Sequence, residues 1–399
     1  MTQIIFVIIA LICAALLAYS LTPAVRVLAF KIGAIDIPLD ERRMHKKPIP
    51  RIGGLAIYLS FLITTALFCN ITQVLVTIWI GGFILVAVGI LDDIYRLNAW
   101  IKLIVQIAVA IFAVINGCVI DQINIGGYIS LGFFAFPLSV LWIVGLTNAI
   151  NFIDGLDGLA CGVSAISSLS LLFVVLLQGN GDILVTILCA ILFGSCIGFL
   201  PFNSNPARIF MGDTGALFLG YTLSILSVTG VFKLHAVLSF LVPLIIFALP
   251  IFDAAFAIFR RLLKKKSPFA PDRGHIHHRL IDMGFTQKES VRILYSICGI
   301  LGLVAVFCTD KMFDEYRVVK SVSIAVIAIA IFIINLLIMK CPGTRRHSGL
   351  IDDDMTISEF INELDPEMAE KLERNNGYDP EKNDLIKPEE NQTDTDEQQ

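Results

Sequence analysis

The stretch VLVTIWIGGFILVAVGILDDIY (residues 74–95) joins a long apolar run to a pair of carboxylates. The run up to residue 91 contains no charged side chain, and about 20 apolar residues are enough to cross a bilayer as a helix. It stops at Asp92 and Asp93. The stretch therefore predicts a membrane-spanning helix with two acidic residues at one end.

Apolar runs of this kind recur along most of the 399-residue chain, which is 56% hydrophobic and only 16% charged. Soluble domains are nearer a quarter charged, so the composition excludes soluble, secreted and fibrous classes. It predicts an all-α polytopic membrane protein. Eleven membrane-spanning helices are predicted, at about residues 3–21, 53–70, 73–91, 100–117, 130–147, 159–177, 182–200, 214–231, 236–258, 291–308 and 321–339.

The first apolar run is predicted to be an uncleaved helix rather than a signal peptide. A signal peptide carries basic residues before its apolar segment, whereas Arg26 and Lys31 follow this one.

The net charge of −4 is unevenly divided between two predicted regions. Residues 1–340 form the membrane domain, and residues 341–399 form a tail with 17 acidic and 6 basic residues. The tail has too few apolar residues for a core and is predicted to be largely disordered. Within it, Thr356 to Leu364 fit either a short docking helix or a frayed amphipathic stretch.

The distribution of Lys and Arg predicts the orientation of the helices. If the N-terminus is outside, the inward-facing loops contain nearly all the basic residues of the membrane domain, and the outward-facing loops contain four. Cytoplasmic loops carry such an excess. The N-terminus is therefore predicted outside, and the acidic tail in the cytoplasm.

Five polar stretches fall in alternate loops, all of which this orientation places in the cytoplasm. They are HKKPIPRIGG (45–54), GILDDIYRLNAW (89–100), NAINFIDGLDGLA (148–160), PFNSNPARIFMGDTGALFLG (201–220) and PDRGHIHHRLIDMG (271–284). Because all five meet one membrane face, the sequence predicts one composite site.

The acidic residues of these stretches have several chemical readings. Asp92 and Asp93 could gather a hard cation, act as acid and base, or mark the end of a helix. Asn148, Asn151, Asp154 and Asp157 follow one another at spacings of three residues, and carboxylates at a membrane boundary are usually functional.

Asp213 stands where the eighth helix begins, where either Asp213 or Thr214 could cap the helix and its N–H groups would favour phosphate. Oxygen ligands from Asp and Asn indicate Mg²⁺, with Mn²⁺ as the alternative. His275, His277, His278 and Arg279 are spaced as phosphate donors rather than as a zinc site. In the first loop, Lys47 could add a phosphate contact or anchor the loop.

The order LDD, NAxNFxDGLDGLA, PFNxxPAxIFMGDTGALxLG and RGHIHHRL resembles the polyprenyl-phosphate N-acetylhexosamine-1-phosphate transferases. The resemblance covers about residues 1–340 and implies a bacterial cytoplasmic-membrane enzyme with its active site on the cytoplasmic face. It implies UDP-GlcNAc and undecaprenyl phosphate as substrates in a lipid bilayer and no nucleic acid, and it allows a homodimer.

Carried over residue by residue, the resemblance assigns roles to the polar stretches. The implied catalytic residues are Asp92, Asp93, Asp154 and Asp157, the metal ligands are Asn151 and Asp213, and the substrate-binding residues are Lys47, Asn148, His275, His277, His278 and Arg279. In the muramoyl-pentapeptide branch the last motif has three consecutive histidines, whereas Arg279 stands third here. This difference favours the branch that uses UDP-GlcNAc.

The implied reaction transfers GlcNAc-1-phosphate to undecaprenyl phosphate and releases UMP, as the first step of O-antigen, common-antigen or teichoic-acid synthesis. A sister transferase that uses another UDP-N-acetylhexosamine is the alternative. An ion-coupled transporter, which would have mid-membrane carboxylates and an internal repeat, is the alternative from another class.

Overall fold

The computed structural model describes residues 2–37, 48–124, 128–177, 182–232, 241–265 and 274–308. Lys47, the predicted eleventh helix and the acidic tail lie outside them. The described chain is mostly helical. Its helices are α1 (Thr2–Ile32), α2 (Gly54–Phe68), α3 (Gln73–Tyr95), α4 (Ala99–Ile115), α5 (Ala135–Ile153), α6 (Leu159–Leu177), α7 (Ile183–Asn203), α8 (Gly212–Ser227), α9 (Leu241–Ile246), α10 (Ala248–Leu263), α11 (Ile276–Asp282) and α12 (Gln287–Phe307).

Seven helical segments of the described chain are long and apolar enough to cross a membrane, and α2 and α4 are shorter apolar helices. The multi-pass membrane class is confirmed, whereas the count of eleven helices and their orientation stay predictions. A 3₁₀ turn precedes α5, and a π-helical turn at Val228–Phe232 follows α8.

The predicted ninth helix (236–258) is wrong as one continuous element. Its described part consists of α9 and α10, with a break at Phe247. A helix that ran through the break would press the ring of Pro250 against the carbonyl of Ile246, so the chain restarts and accommodates Pro250 in the first turn of α10.

The all-α prediction also missed two short antiparallel hairpins. Strand β1 (Ile35–Asp36) pairs with β2 (Ile49–Pro50), with Ile35 opposite Pro50. Strand β3 (Gln122–Asn124) pairs with β4 (Tyr128–Ser130), with Ile123 opposite Ile129. Two- and three-residue strands give no run of alternating residues, so the sequence pattern could not indicate them.

Helix α8 is the centre of the bundle. Helices α3 and α5 pack along it, and every residue of α8 is buried except Asp213. A helix that is apolar all round is expected to be buried in this way. Around this centre α1 packs on α7, and α6 packs on both α7 and α12.

Glycines allow the helices to approach α8 at its first turn. A Cβ atom on Gly54 of α2 would lie 2.0 Å from the backbone nitrogen of Gly215, and one on Gly89 of α3 would lie 2.4 Å from the Cα of Thr214. The backbones of α2 and α3 therefore contact the start of α8 directly, which brings the end of α3 beside Asp213.

Local signals set where the neighbouring helices turn. Helix α3 ends before Arg96, whose φ of 52° is left-handed. The Asn98 side chain then accepts the N–H of Trp100 and caps α4. This tight turn points the first turn of α4, with Lys102, back over the end of α3.

Candidate active site

Lys102 of α4 joins two of the predicted site residues. Its Nζ lies 3.0 Å from Oδ2 of Asp92 and 2.8 Å from Oδ2 of Asp213, and its side chain is 21% exposed. The end of α3, the start of α4 and the start of α8 thus meet at one ammonium group. Two carboxylates in mutual contact would repel each other, and the lysine offsets that repulsion.

Asp93 is the cap of α8, although it belongs to α3. Its carboxylate accepts the N–H groups of Asp213 and Thr214 at 3.2 Å each and the Thr214 hydroxyl at 2.8 Å, and its side chain is fully buried. The expectation that Asp213 or Thr214 caps this helix is wrong, because both lie inside its first turn. Two N–H groups predicted to favour phosphate are therefore already bonded.

Arg51 holds Asp93 from the opposite side. Its Nε lies 3.5 Å from Oδ1 of Asp93, and its Nη1 lies 3.7 Å from Oδ1 of Asp36. Burial alone would lower the pKa of Arg51, but Asp93, Asp36 and Asp213 outweigh it and keep that pKa above its ordinary value. Arg51 is thus a permanent positive charge behind the carboxylates.

The two asparagines of the 148–160 stretch lie one turn apart on α5. The Asn151 amide donates to Oδ1 of Asp213 at 3.0 Å, on the side of that carboxylate opposite Lys102. The Asn148 amide donates to the Gln106 side chain on α4 and to the Val144 carbonyl. Asn151 therefore contacts the carboxylate cluster, which consists of Asp92, Asp93 and Asp213. Asn148 forms a polar pair with Gln106 one helical turn away.

Asp154 and Asp157 follow the end of α5 and have different surroundings. Burial raises the pKa of Asp154 to about 8, and the charge of Asp213 acts in the same direction while Arg51 opposes it. Asp157 accepts hydrogen bonds from the Asn205 amide and the Ala207 N–H, each at 3.0 Å. Asp154 therefore lies close enough to the carboxylate cluster to interact with it electrostatically. The contacts of Asp157 instead hold the loop that leads to α8.

The histidines lie at and after the start of α11, against the turn that carries Asp154. A Cβ atom on Gly155 would lie 2.4 Å from Nε2 of His277, so this ring packs directly on the turn. Burial lowers the pKa of His277 to about 4, and the neighbouring His278 and His275 add to that effect. His277 is therefore neutral at physiological pH.

The described contacts of the other predicted substrate-binding residues do not reach the carboxylate cluster. His278 is half-buried with its ring centroid 4.3 Å from that of His277, and Arg279 is exposed. Their roles, like that of Lys47, stay predictions.

The carboxylate cluster fits a hard divalent cation by its donor chemistry. Asp92 and Asp213 already share one cationic group, and Asn151 would offer its Oδ1 after rotation of its amide. The described residues contain no cluster of three or more His, Cys, Asp or Glu side chains that could hold an ion. A cation here would need oxygens from substrate and water as well, which is how Mg²⁺ is commonly bound.

Three residues of this region are not among those predicted from the sequence: Lys102, Gln106 and Asp253. Lys102 and Gln106 stand inside a predicted apolar span, four residues apart, and Asp253 stands inside another. Charged residues within membrane segments usually serve a function, so this was the signal that could have found Lys102 and Asp253. Nothing in the sequence says which loops they would meet.

Comparisons with known proteins identify a matching family and several relatives. Residues 75–231 match glycosyl transferase family 4. The chain is 42% identical over 355 residues to the probable undecaprenyl-phosphate N-acetylglucosaminyl 1-phosphate transferase of Bacillus subtilis, covering 88% of this chain and 94% of that protein.

Two further relatives have similar names. The chain is 33% identical to the decaprenyl-phosphate N-acetylglucosaminephosphotransferase of Mycolicibacterium smegmatis, covering 81% of this chain and 87% of that one. It is 30% identical to the undecaprenyl-phosphate alpha-N-acetylglucosaminyl 1-phosphate transferase of Salmonella typhi, covering 70% and 78%.

Proposed function

The chain belongs to the polyprenyl-phosphate N-acetylhexosamine-1-phosphate transferases, and from that premise we propose that it transfers GlcNAc-1-phosphate from UDP-GlcNAc to undecaprenyl phosphate. The products are GlcNAc-diphospho-undecaprenol and UMP. That it is a phosphotransferase acting on a polyprenyl phosphate follows from its family. The donor and the length of the acceptor are the proposed part.

One observation carries the proposal: Lys102, Asp92, Asp213 and Asn151 form a continuous polar cluster at the ends of apolar helices. A water-soluble nucleotide sugar and a phosphate on a lipid tail can meet only where a polar site borders the bilayer. The loop charges favour the cytoplasmic side of a bacterial inner membrane, where a nucleotide sugar would be available.

We infer a single displacement at phosphorus. An oxygen of the lipid phosphate attacks the β-phosphorus of UDP-GlcNAc, and the bond from that phosphorus to the bridging oxygen breaks, so that UMP leaves with the oxygen. A phosphate monoester has a second pKa of about 6, so most acceptor molecules are already dianions at neutral pH. A general base is therefore needed only for the minority monoanion.

The residues of the cluster then act by position and charge. Lys102 offsets negative charge beside the pyrophosphate, Asp92 fixes Lys102, and Asp93 fixes the start of α8 that carries Asp213. Asp92, Asn151 and Asp213 would hold Mg²⁺. When bound, that ion would stabilise the charge that develops on phosphate oxygens.

Beyond the reaction itself, we propose that the lipid-linked sugar starts a cell-surface glycan of the O-antigen, common-antigen or teichoic-acid type. A sister transferase using another UDP-N-acetylhexosamine, including UDP-MurNAc-pentapeptide, is the alternative within the family. The transporter alternative is set aside because the chain belongs to a family of enzymes.

The test uses membranes that contain the full chain, radiolabelled UDP-GlcNAc, undecaprenyl phosphate and Mg²⁺. We expect a labelled lipid product together with one UMP for each sugar transferred, and neither product with Asp213→Asn at equal protein level. Parallel reactions with decaprenyl phosphate, UDP-GalNAc and UDP-MurNAc-pentapeptide decide the acceptor and the sugar.

Two results would overturn parts of the proposal. A faster reaction with one of the other UDP-sugars would replace the donor. Exchange of labelled UMP into UDP-GlcNAc without any lipid phosphate would replace the single displacement by a covalent intermediate.

A further inference from the structure

Asp253 of α10 holds the start of the histidine segment with both carboxylate oxygens. Its Oδ2 lies 2.8 Å from Nδ1 of His275, and its Oδ1 accepts the N–H of Ile276 at 2.9 Å. Both side chains are buried, with Asp253 3% and His275 7% exposed. A buried carboxylate is costly unless it is paired, and this one is paired twice.

Helix α10 is itself fixed against α5, the helix that carries Asn151. Its buried residues include Asp253, Ala257 and Arg261, which are spaced four apart and so share one face. The guanidinium of Arg261 lies 5.6 Å from the ring centroid of Phe152 on α5. The position of Asp253 is thus tied to α5, which contributes Asn151 to the carboxylate cluster.

The pairing with Asp253 reaches the candidate site through a second histidine. The rings of His275 and His277 are nearly parallel, with 10° between their planes and 5.6 Å between their centroids. His277 packs on Gly155, next to Asp154. A shift of His275 would therefore move the ring of His277, which lies beside the carboxylate cluster.

The pairing also selects which ring nitrogen of His275 a substrate can meet. An ionised carboxylate accepts but does not donate, so Nδ1 of His275 carries a proton. This leaves Nε2 for a ligand. Carboxylate partners fix functional histidines in this way in many sites.

We propose that Asp253 is a positioning residue for the transfer reaction, which holds His275 with Nε2 available to substrate phosphate and keeps the His275–His277 stack against the Asp154–Gly155 turn. The inference rests on the proposed function. A purely structural role, in which Asp253 only tethers the start of α11, is the competing explanation.

The central test measures the kcat and KM of Asp253→Asn, His275→Gln and the double variant in the full-length enzyme. We expect Asp253→Asn to lower kcat about 10- to 100-fold, the loss typical when the carboxylate partner of a functional histidine is removed, and His275→Gln to lower it at least as much. The KM for UDP-GlcNAc should change less than kcat, because the Nε2 contact is expected to be strongest with the charge that develops in the transition state. The double variant should be no worse than the worse single variant, because Asp253 acts through His275. Asp282→Asn, an exposed carboxylate at the end of α11, is the matched control.

A second variant separates positioning from tethering. In His275→Asn the amide nitrogen can take the place of Nδ1 and keep the bond to Asp253, but nothing replaces Nε2. The proposal expects a folded protein with the same 10- to 100-fold loss of kcat, whereas a pure tether predicts nearly full activity. This comparison decides the matter even if Asp253→Asn does not fold.

Losses that multiply in the double variant, or an active His275→Asn, would overturn the inference while leaving the proposed function intact. Absence of GlcNAc-1-phosphate transfer by the unaltered enzyme would instead overturn the proposed function.

Discussion

Lys102 is the positive charge shared by Asp92 and Asp213, at 3.0 and 2.8 Å. Lys102→Met removes that charge but keeps the length of the side chain, so we expect the rate of transfer to fall about 100- to 1000-fold, as when a donor to developing charge is lost. Product formation from labelled UDP-GlcNAc measures it. Lys288→Met, at an exposed position of α12, is the control and should stay within a few-fold of the parent. A Lys102→Met enzyme as active as that control would remove Lys102 from the mechanism.

The buried His277 should make the folded protein less stable in acid. Burial lowers its pKa to about 4 in the folded protein, whereas the histidine of the unfolded chain has the ordinary pKa of about 6.5. The folded state therefore binds fewer protons than the unfolded state. The contribution of His277 to the free energy of unfolding is full above about pH 6.5 and is lost as the pH falls towards 4, by about 3 kcal/mol in all.

The measurement for His277 is the thermal midpoint of the detergent-solubilised protein between pH 7.5 and about 4.5. We expect a fall towards acid that is shallower in His277→Gln, which cannot take up the proton. His278→Gln, at the half-buried neighbouring position, should keep most of the parent's slope. Equal slopes in the parent and in His277→Gln would contradict this assignment.

At the scale of the helices, the approach of α3 to α8 depends on Gly89. A methyl group at that position would lie 2.4 Å from the Cα of Thr214, which is backbone and cannot turn aside. Gly89→Ala should separate the two helices, weaken the capping of α8 by Asp93 and destabilise the protein by about 1–3 kcal/mol, the usual cost of overpacking. Transfer should fall with it, because Asp213 lies in the displaced turn.

Gly145 of α5 is the matched control for Gly89. Apart from the adjoining residues and backbone of α5 itself, no described atom lies within 4 Å of a Cβ atom built there, so Gly145→Ala should leave transfer unchanged and slightly raise the thermal midpoint. A Gly89→Ala protein as stable and active as Gly145→Ala would show that the helices can part without harm.

The helices could be predicted from the sequence because the length of an apolar run indicates a membrane-spanning helix, and that length is read from neighbouring residues alone. Predicted spans such as 73–91 and 159–177 agree with α3 and α6 to within a few residues. The meeting of Asp93 with α8 could not be predicted, because it depends on which helices are neighbours. The same holds for Asp253 and His275, because Asp253 lies on α10 whereas His275 precedes α11.

At the scale of the whole molecule, the site lies where the ends of several helices converge. Helices α3 and α5 end there, and α4 and α8 begin there, so these elements alternate in direction through the bundle. The other ends of α4 and α5 lie beside the hairpin of β3 and β4. The two ends of the bundle should therefore face different compartments.

This arrangement gives a prediction about topology that cysteine labelling can check. The site end has exposed positions at Tyr95 and Met283, with 61% and 68% exposure, and the opposite end has exposed Asp121. An impermeant thiol reagent should label Asp121→Cys in intact spheroplasts, but Tyr95→Cys and Met283→Cys only after the membrane is opened, because the basic loops place the site end inside. The parent chain, with its nine cysteines, gives the background. Labelling of Tyr95→Cys or Met283→Cys in intact spheroplasts would place the carboxylate cluster on the outer face, where a cytosolic nucleotide sugar could not reach it, and the proposed donor would have to be abandoned.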